Sequence, residues 1–146
     1  MPTIEAEDSG EAEHTGGCLC GAVRFHLASA PVEAGWCHCR MCQLNSGSPA
    51  MAFAKVPSSD FVIERGSRQI RRYRSSDIAE RWFCSACGTP LLVRDFVGTT
   101  YDFNIATLDH PEQVPPEAHF YYASHIPWAE VCDDLPIFPR SRGEGT

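Results

Sequence analysis

The sequence predicts a mainly β domain of short strands knitted together by bound metal, and three observations predict it. Short β-like runs recur along the chain, one of them plainly alternating, helical periodicity is poor throughout, and the cysteines fall in closely spaced groups. The chain has 146 residues, 43% of them hydrophobic, and eight are cysteine. That length argues for one domain with a real but small core, which a metal staple would support.

The elements follow in order. Residues 1–15 are polar, acidic and without periodicity, and are expected to form a disordered tail. The folded domain is expected over 16–139, with 140–146 a flexible tail. Val23, Phe25 and Leu27 share one face of a half-buried strand, with Arg24 and His26 on the other. Pro31 to Gly35 breaks that pattern. Trp36 to Gly47, crowded with cysteine and ending in Asn45, Ser46 and Gly47, reads as a structured loop or turn. Ala50–Val56, Phe61–Glu64 and Ile70–Arg74 read as strands, with Gly66 in a turn. Arg81–Phe83 leads into a knuckle at Ser85–Gly88, Pro90–Arg94 leads out of it, and Thr99–Ala106 is a further β-rich run. Beyond Leu108, Pro111, Pro115 and Pro116 interrupt regular structure.

The net charge of −7 is partly a tail effect. Glu5, Glu7, Asp8, Glu11 and Glu13 supply five of nineteen acids, leaving fourteen against twelve bases and a formal −2 for the remainder. Such a balance gives no global field for nucleic acid, so no nucleic-acid partner is expected. No run of about 18 apolar residues suits a bilayer, so no membrane partner is expected. The first residues lack the basic-then-apolar order of an export signal, which makes the cytoplasm the expected location. Thiols stay reduced there, so cysteines point to metal or catalysis before disulfides.

Cys18-Leu19-Cys20 is a Cys-x-Cys, and Cys84-Ser85-Ala86-Cys87 is a Cys-x-x-Cys followed by Gly88. Each knuckle brings two sulfurs within reach of one ion, and the glycine lets the backbone turn around it. Together they make the closed four-thiolate set of a structural zinc. Two redox pairs, or buried free thiols, are the other arrangements the spacing allows. Cys37, Cys39 and Cys42 fall within six residues. Three ligands leave one tetrahedral position open, as catalytic zinc requires. A histidine from elsewhere closing a structural site, or a pair plus a spare thiol, are the competing readings. His38, between two of these ligands, is expected to point away from the ion and is a candidate proton shuttle. Cys132 stands alone and reads as a small apolar residue.

The arginines at 65, 68, 71, 72, 74 and 81 form a basic stretch. It reads either as a carboxylate- or phosphate-binding patch or as a solvated sheet surface balanced by Asp77 and Glu80, with the second favoured. Trp36, Phe53 and Trp128 are candidate pocket walls or core.

Gly17-Cys18-Leu19-Cys20-Gly21, Cys37-His38-Cys39-Arg40-Met41-Cys42 and Phe83-Cys84-Ser85-Ala86-Cys87-Gly88-Thr89, with Thr107-Leu108-Asp109 and Pro127-Trp128 ahead of Asp134-Leu135-Pro136, resemble the signature of the glutathione-dependent formaldehyde-activating enzyme and centromere protein V family. The resemblance runs from about Gly16 to Pro139. It implies an Mss4-like β-rich fold and two zinc ions per chain. Cys18, Cys20, Cys84 and Cys87 match the structural ligands, and Cys37, Cys39 and Cys42 match those of the catalytic ion. The implied activity is that of a carbon–sulfur lyase joining glutathione and formaldehyde into S-hydroxymethylglutathione, so a small-molecule thiol and a small aldehyde are the expected partners. The alternative is a non-catalytic zinc module that binds a macromolecule.

Overall fold

The alternation of Val23, Phe25 and Leu27 turns three side chains into a core that two sheets share. The computed structural model describes residues 14–141, and within them ten strands and one short α-helix form the fold. Strands β1 (His14–Gly17), β2 (Arg24–Leu27) and β5 (Phe61–Arg65) make a three-stranded antiparallel sheet in the order β1-β2-β5. The second sheet has seven strands. These are β3 (Val32–Cys37), β4 (Met51–Pro57), β6 (Ile70–Arg74), β7 (Ala79–Cys84), β8 (Pro90–Asp95), β9 (Thr100–Asn104) and β10 (His119–Phe120). Their order is β10-β3-β4-β9-β8-β7-β6, and only β10 runs parallel to its neighbour.

One face of each sheet meets the other. Phe25 and Leu27 from β2 and Phe61 from β5 are buried against Ala54 and Val56 of β4, Trp82 of β7, Leu92 of β8 and Phe103 of β9. Phe25 and Phe61 stack with ring centroids 4.3 Å apart, and Phe61 reaches Phe103 across the sheets at 6.2 Å. Burying each such ring contributes roughly 2–3 kcal/mol.

The opposite face of the large sheet carries a different row. Lys55 pairs with Asp102, Asp102 with Val93, and Val93 with Arg81. Cross-strand partners share a face, so β4, β9, β8 and β7 present these four side chains together. The helix α1 (Arg40–Ser46) lies over the Arg81 end of that row.

Two elements differ from expectation. Val32 to Cys37 is a strand rather than a break. Glu33, at φ 54°, carries a bulge that shifts the register between Val32 and Gly35, so the irregularity is absorbed within β3. Residues 40–46 form a helix rather than a loop: Cys39 caps it by accepting from the Cys42 N–H, and Gly47 at φ 74° ends it. The expected tails, 1–15 and 140–146, lie mostly outside the described residues. His14 and Thr15 belong to β1. No helix among the described residues is long and apolar enough to cross a membrane.

Candidate metal centres

The two knuckles predicted from sequence meet at one end of the core. Cys18 and Cys20 follow β1, Cys84 ends β7, and Cys87 lies in the turn before β8. Gly21 and Gly88 each adopt φ 83°, which lets Gly21 N donate to the Cys18 carbonyl and Gly88 N to that of Cys84. Sulfurs of Cys18 and Cys20 lie 3.6 Å apart, those of Cys20 and Cys84 3.9 Å, and all four fall within 4.8 Å of one another. A tetrahedral zinc with Zn–S bonds of about 2.3 Å has S···S edges of ~3.8 Å, so the set fits that ion. Thr89 joins the two knuckles: its hydroxyl accepts from Leu19 N at 3.0 Å and meets Cys87 Sγ at 3.2 Å. That contact, with backbone N–H donors behind it, lowers the Cys87 thiol to about 5, while at Cys20 the backbone bond from Ala22 lowers the thiol but the neighbouring Cys18 sulfur and desolvation outweigh it and push it up to about 11. Val23 N donates to Cys18 Sγ at 3.2 Å.

Cys37, Cys39 and Cys42 form the second cluster, again with all sulfurs within 4.8 Å. Cys37 closes β3, Cys39 is the helix cap, and Cys42 is one turn inside α1, so a strand end and a helix start aim three thiols at one point. The Cys37 and Cys42 sulfurs are 3.0 Å apart. Three thiols so close cannot all ionise alone. Hydrogen bonds from Cys37 and Cys42 hold Cys39 far below the ordinary thiol range, and the bond to Cys39 pushes Cys37 far above it. A cation resolves that conflict, and three soft donors with no carboxylate among them suit zinc.

This cluster lines a cavity of about 540 Å³, whose floor is the polar row of the large sheet. Arg81, only 8% exposed, extends from that floor to Cys42, with its two terminal nitrogens 3.8 and 3.7 Å from Sγ. Asn45 Oδ1 accepts from the same side chain at 3.3 Å. The cation draws down both Cys39 and Cys42, although contact with Cys39 and burial leave Cys42 at about 11.

A profile of the family described as "Glutathione-dependent formaldehyde-activating enzyme" matches residues 13–124. The chain belongs to that family. Among relatives of this formaldehyde-activating-enzyme family member, an uncharacterized lyase of Schizosaccharomyces pombe is 37% identical over 79 residues, 54% of this chain. The match spans 56% of the yeast protein, little more than half its length. A Halomonas elongata protein named "Putative glutathione-dependent formaldehyde-activating enzyme" is 27% identical over 124 residues, covering 80% of this chain and 79% of that one. A Rhodobacter sphaeroides crystal structure from a structural-genomics programme shares the fold, with a TM-score of 0.57 at 24% identity, covering 84% of this chain and 98% of that one.

Behind the predicted His38, the family member carries His119 and Asp133, which spacing alone did not single out. His38 does not line the cavity. Its Nε2 lies 2.9 Å from His119 Nδ1, and His119 Nε2 lies 3.1 Å from both oxygens of Asp133. Burial, with His119 and His125 nearby, lowers His38 to about 4, so its ring is neutral. Nδ1 of His38 is buried without a partner, and the geometry makes the side chain a strut behind the cysteine loop rather than a group facing a ligand. Gln43 braces the same loop, donating to the carbonyls of His38 and Ser124.

Of the three aromatics, Phe53 lines the cavity, Trp36 stacks near His119 at 6.4 Å, and Trp128 is 77% exposed. Cys132 is exposed and joins neither cluster. Of the arginine stretch only Arg81 reaches the cavity. Arg72 lies over Trp82, Arg74 over Phe96 with Nη2 on the Asp77 carbonyl, and Arg71 donates to the Arg68 carbonyl. The rest is therefore a solvated sheet surface.

Proposed function

We propose that this chain is a zinc-dependent carbon–sulfur lyase that joins glutathione, or a similar thiol, to formaldehyde or another small carbonyl. Cys37, Cys39 and Cys42 are proposed to hold the catalytic ion, and Cys18, Cys20, Cys84 and Cys87 the structural one. The observation that carries the reading is the contrast between the clusters: four thiols surround the first, whereas three thiols line a cavity large enough for a small peptide at the second. Family membership and a relative named as a lyase support the same chemistry.

When bound, zinc would leave one position for the substrate sulfur and favour its thiolate at neutral pH. The protein's own residues do the remainder. Three thiolates and a divalent cation leave a formal −1, and Arg81 beside Cys42 offsets it, which lowers the cost of bringing in a further thiolate. The strut through His38, His119 and Asp133 keeps the cysteine loop in place. Addition to formaldehyde forms one S–C bond, the carbonyl becomes a hydroxyl, and the proton lost by the thiol ends on that oxygen through solvent in the open cavity. The reverse step breaks the same bond.

Exchange spectroscopy by NMR measures the rate at which glutathione and formaldehyde interconvert with their adduct. The zinc-loaded protein should raise that rate above the spontaneous one, and Cys39→Ser should abolish the increase. An unchanged increase in Cys39→Ser would refute the mechanism.

A further inference from the structure

Most of the arginines that the cavity does not use lie on β6, the strand that ends the seven-stranded sheet. Arg71 to Arg74 are exposed there. Hydrogen bonding along β6 alternates. Ser85 N donates to the Gln69 carbonyl at 2.7 Å and Ser75 N to that of Ala79 at 3.1 Å, at the two ends of a ladder that pairs Arg71 with Phe83 and Tyr73 with Arg81. In an antiparallel ladder, residues two apart bond to the same neighbour. Gln69, Arg71, Tyr73 and Ser75 therefore turn their backbone groups to β7, and Ile70, Arg72 and Arg74 turn theirs outward. Ile70 N donates to the Ser67 carbonyl, and the Ile70 carbonyl meets Arg71 Nη1 at 3.5 Å. The N–H and C=O of Arg72 and Arg74 are left as an open ladder for another strand.

Side chains decide which strand fits. Arg72 and Arg74, two residues apart, share one face of the sheet. The Arg72 guanidinium lies 4.2 Å from the Trp82 ring centroid, and those of Arg74 and Arg94 lie 4.8 and 5.5 Å from that of Phe96. A guanidinium backed by a ring keeps in-plane N–H groups for a carboxylate. The nearby acid Glu80 accepts from Trp82 Nε1 at 2.8 Å and from Arg94 at 3.3 Å, so its carboxylate is already engaged. Arg74 uses Nη2 on the Asp77 carbonyl rather than on an acid.

Two occupants are excluded by these features. A second β6 brought edge to edge would set arginines against arginines. A nucleic acid has no N–H and C=O ladder to complete the edge. An extended peptide with acids at alternate positions meets both demands. Its residues directly opposite Arg72 and Arg74 share their face, so carboxylates reach the guanidiniums while the same residues exchange backbone bonds. The residue between them lies against Tyr73, 66% exposed, which favours an apolar side chain there.

We propose that the β6 edge is a docking site for an extended acidic peptide of the pattern acid–apolar–acid, which joins the large sheet as a further strand. The site is independent of the thiol-binding reading: neither Arg72 nor Arg74 lines the cavity or belongs to a cysteine cluster.

Fluorescence anisotropy of the full chain with labelled Ser-Glu-Val-Glu-Val-Glu-Ser tests it. Affinity should fall about 10-fold or more when the glutamates are replaced by glutamine, and by a similar factor on the double variant Arg72→Gln with Arg74→Gln. A third peptide, N-methylated at its glutamates, keeps every charge but loses the N–H groups aimed at β6. It should also bind about 10-fold more weakly, and it needs no variant of the protein. Hydrogen exchange by NMR reads the edge directly: the unmodified peptide should slow the Arg72 and Arg74 amides and leave those of Arg71 and Tyr73, already bonded to β7, unchanged. Equal affinity for the N-methylated peptide, or for oligothymidylate, would reduce the site to a charged surface and overturn strand addition. Failure to bind the glutamate peptide, or binding that leaves Arg72 and Arg74 exchange unaltered, would overturn it as well.

Discussion

Both terminal nitrogens of Arg81 face the sulfur of Cys42, at 3.8 and 3.7 Å, across 39 positions of sequence. A buried guanidinium against a thiol is stable only if the sulfur side carries negative charge, because an unpaired buried cation is costly. Arg81→Met keeps the aliphatic volume and removes the charge. It should speed zinc release from the three-cysteine cluster to a chromogenic chelator by ~10-fold or more, as loss of hydrogen bonds to a charged group implies. Release from the four-cysteine cluster should stay at its wild-type rate. Equal release profiles for the two proteins would show that Arg81 does not balance the cluster.

The two clusters should differ in what their loss does to the fold. Cys20 and Cys84 are 64 positions apart, and closing a loop of that length through a cross-link is worth about 4 kcal/mol. Cys84→Ser should therefore lower the melting temperature steeply or leave the protein unfolded. Cys42→Ser, within a loop only five positions from Cys37, should retain a folded far-ultraviolet spectrum and a much smaller drop in Tm. A comparable collapse in both would mean that the second cluster is structural as well.

The strut behind the cysteine loop makes a graded prediction. His119 is 2% exposed and stands between His38 and Asp133, so His119→Phe strands the buried ring nitrogen of His38, while the Asp133 carboxylate stays open to solvent. Urea denaturation should show a loss of about 2–3 kcal/mol. Asp133 lies at the solvent-exposed end of this hydrogen-bonded row, and Asp133→Asn should cost clearly less than His119→Phe. The reverse order would argue against the strut.

Asp109 supplies a pH test. Its two oxygens receive Arg24 at 3.1 and 2.6 Å and Thr15 at 2.6 Å, tying β1 and β2 to the segment after β9. Arg24, then Thr15, holds its carboxyl below the usual aspartate range. A folded-state value depressed below the unfolded one means stability that is present above about pH 4 and lost as pH falls through the folded value. The difference between wild type and Asp109→Asn should be about 1 kcal/mol at neutral pH for a half-exposed pair, and should shrink towards zero in acid. A difference that grows on acidification would contradict the assignment.

What sequence could and could not disclose follows from distance along the chain. Cys37, Cys39 and Cys42 lie so close together that almost any backbone path gathers them, and two glycine-flanked knuckles identify each other by chemistry. The β-rich class followed from the alternation in β2 and from the short strand-like runs that became β4, β5, β6 and β9. Arg81 was visible only as one of six arginines. Its separation from the others depends on the pairing of β7 with β8, which puts Arg81 on the cavity face while Arg72 and Arg74 lie on the edge strand β6. His119 and Asp133 carry no local signature at all, because the link from His38 spans 81 positions. Residues 40–46 hid their helix for another reason. A seven-residue helix completes barely two turns, too short for periodicity to register, and its cap is a cysteine rather than a serine or aspartate.

The order in which the thiols leave the ribosome follows from the closure between β1 and β7. At ~5–20 residues per second, Cys84 emerges roughly 3–13 s after Cys20. Cys37, Cys39 and Cys42 appear within that interval, so five thiols are present before either ligand of the second knuckle exists. An ion captured early has no finished four-sulfur cage to enter, and its final address is settled only when Cys84 and Cys87 arrive. If the chain takes up metal while it is being made, both clusters fill only if an early-captured ion can still move between thiols.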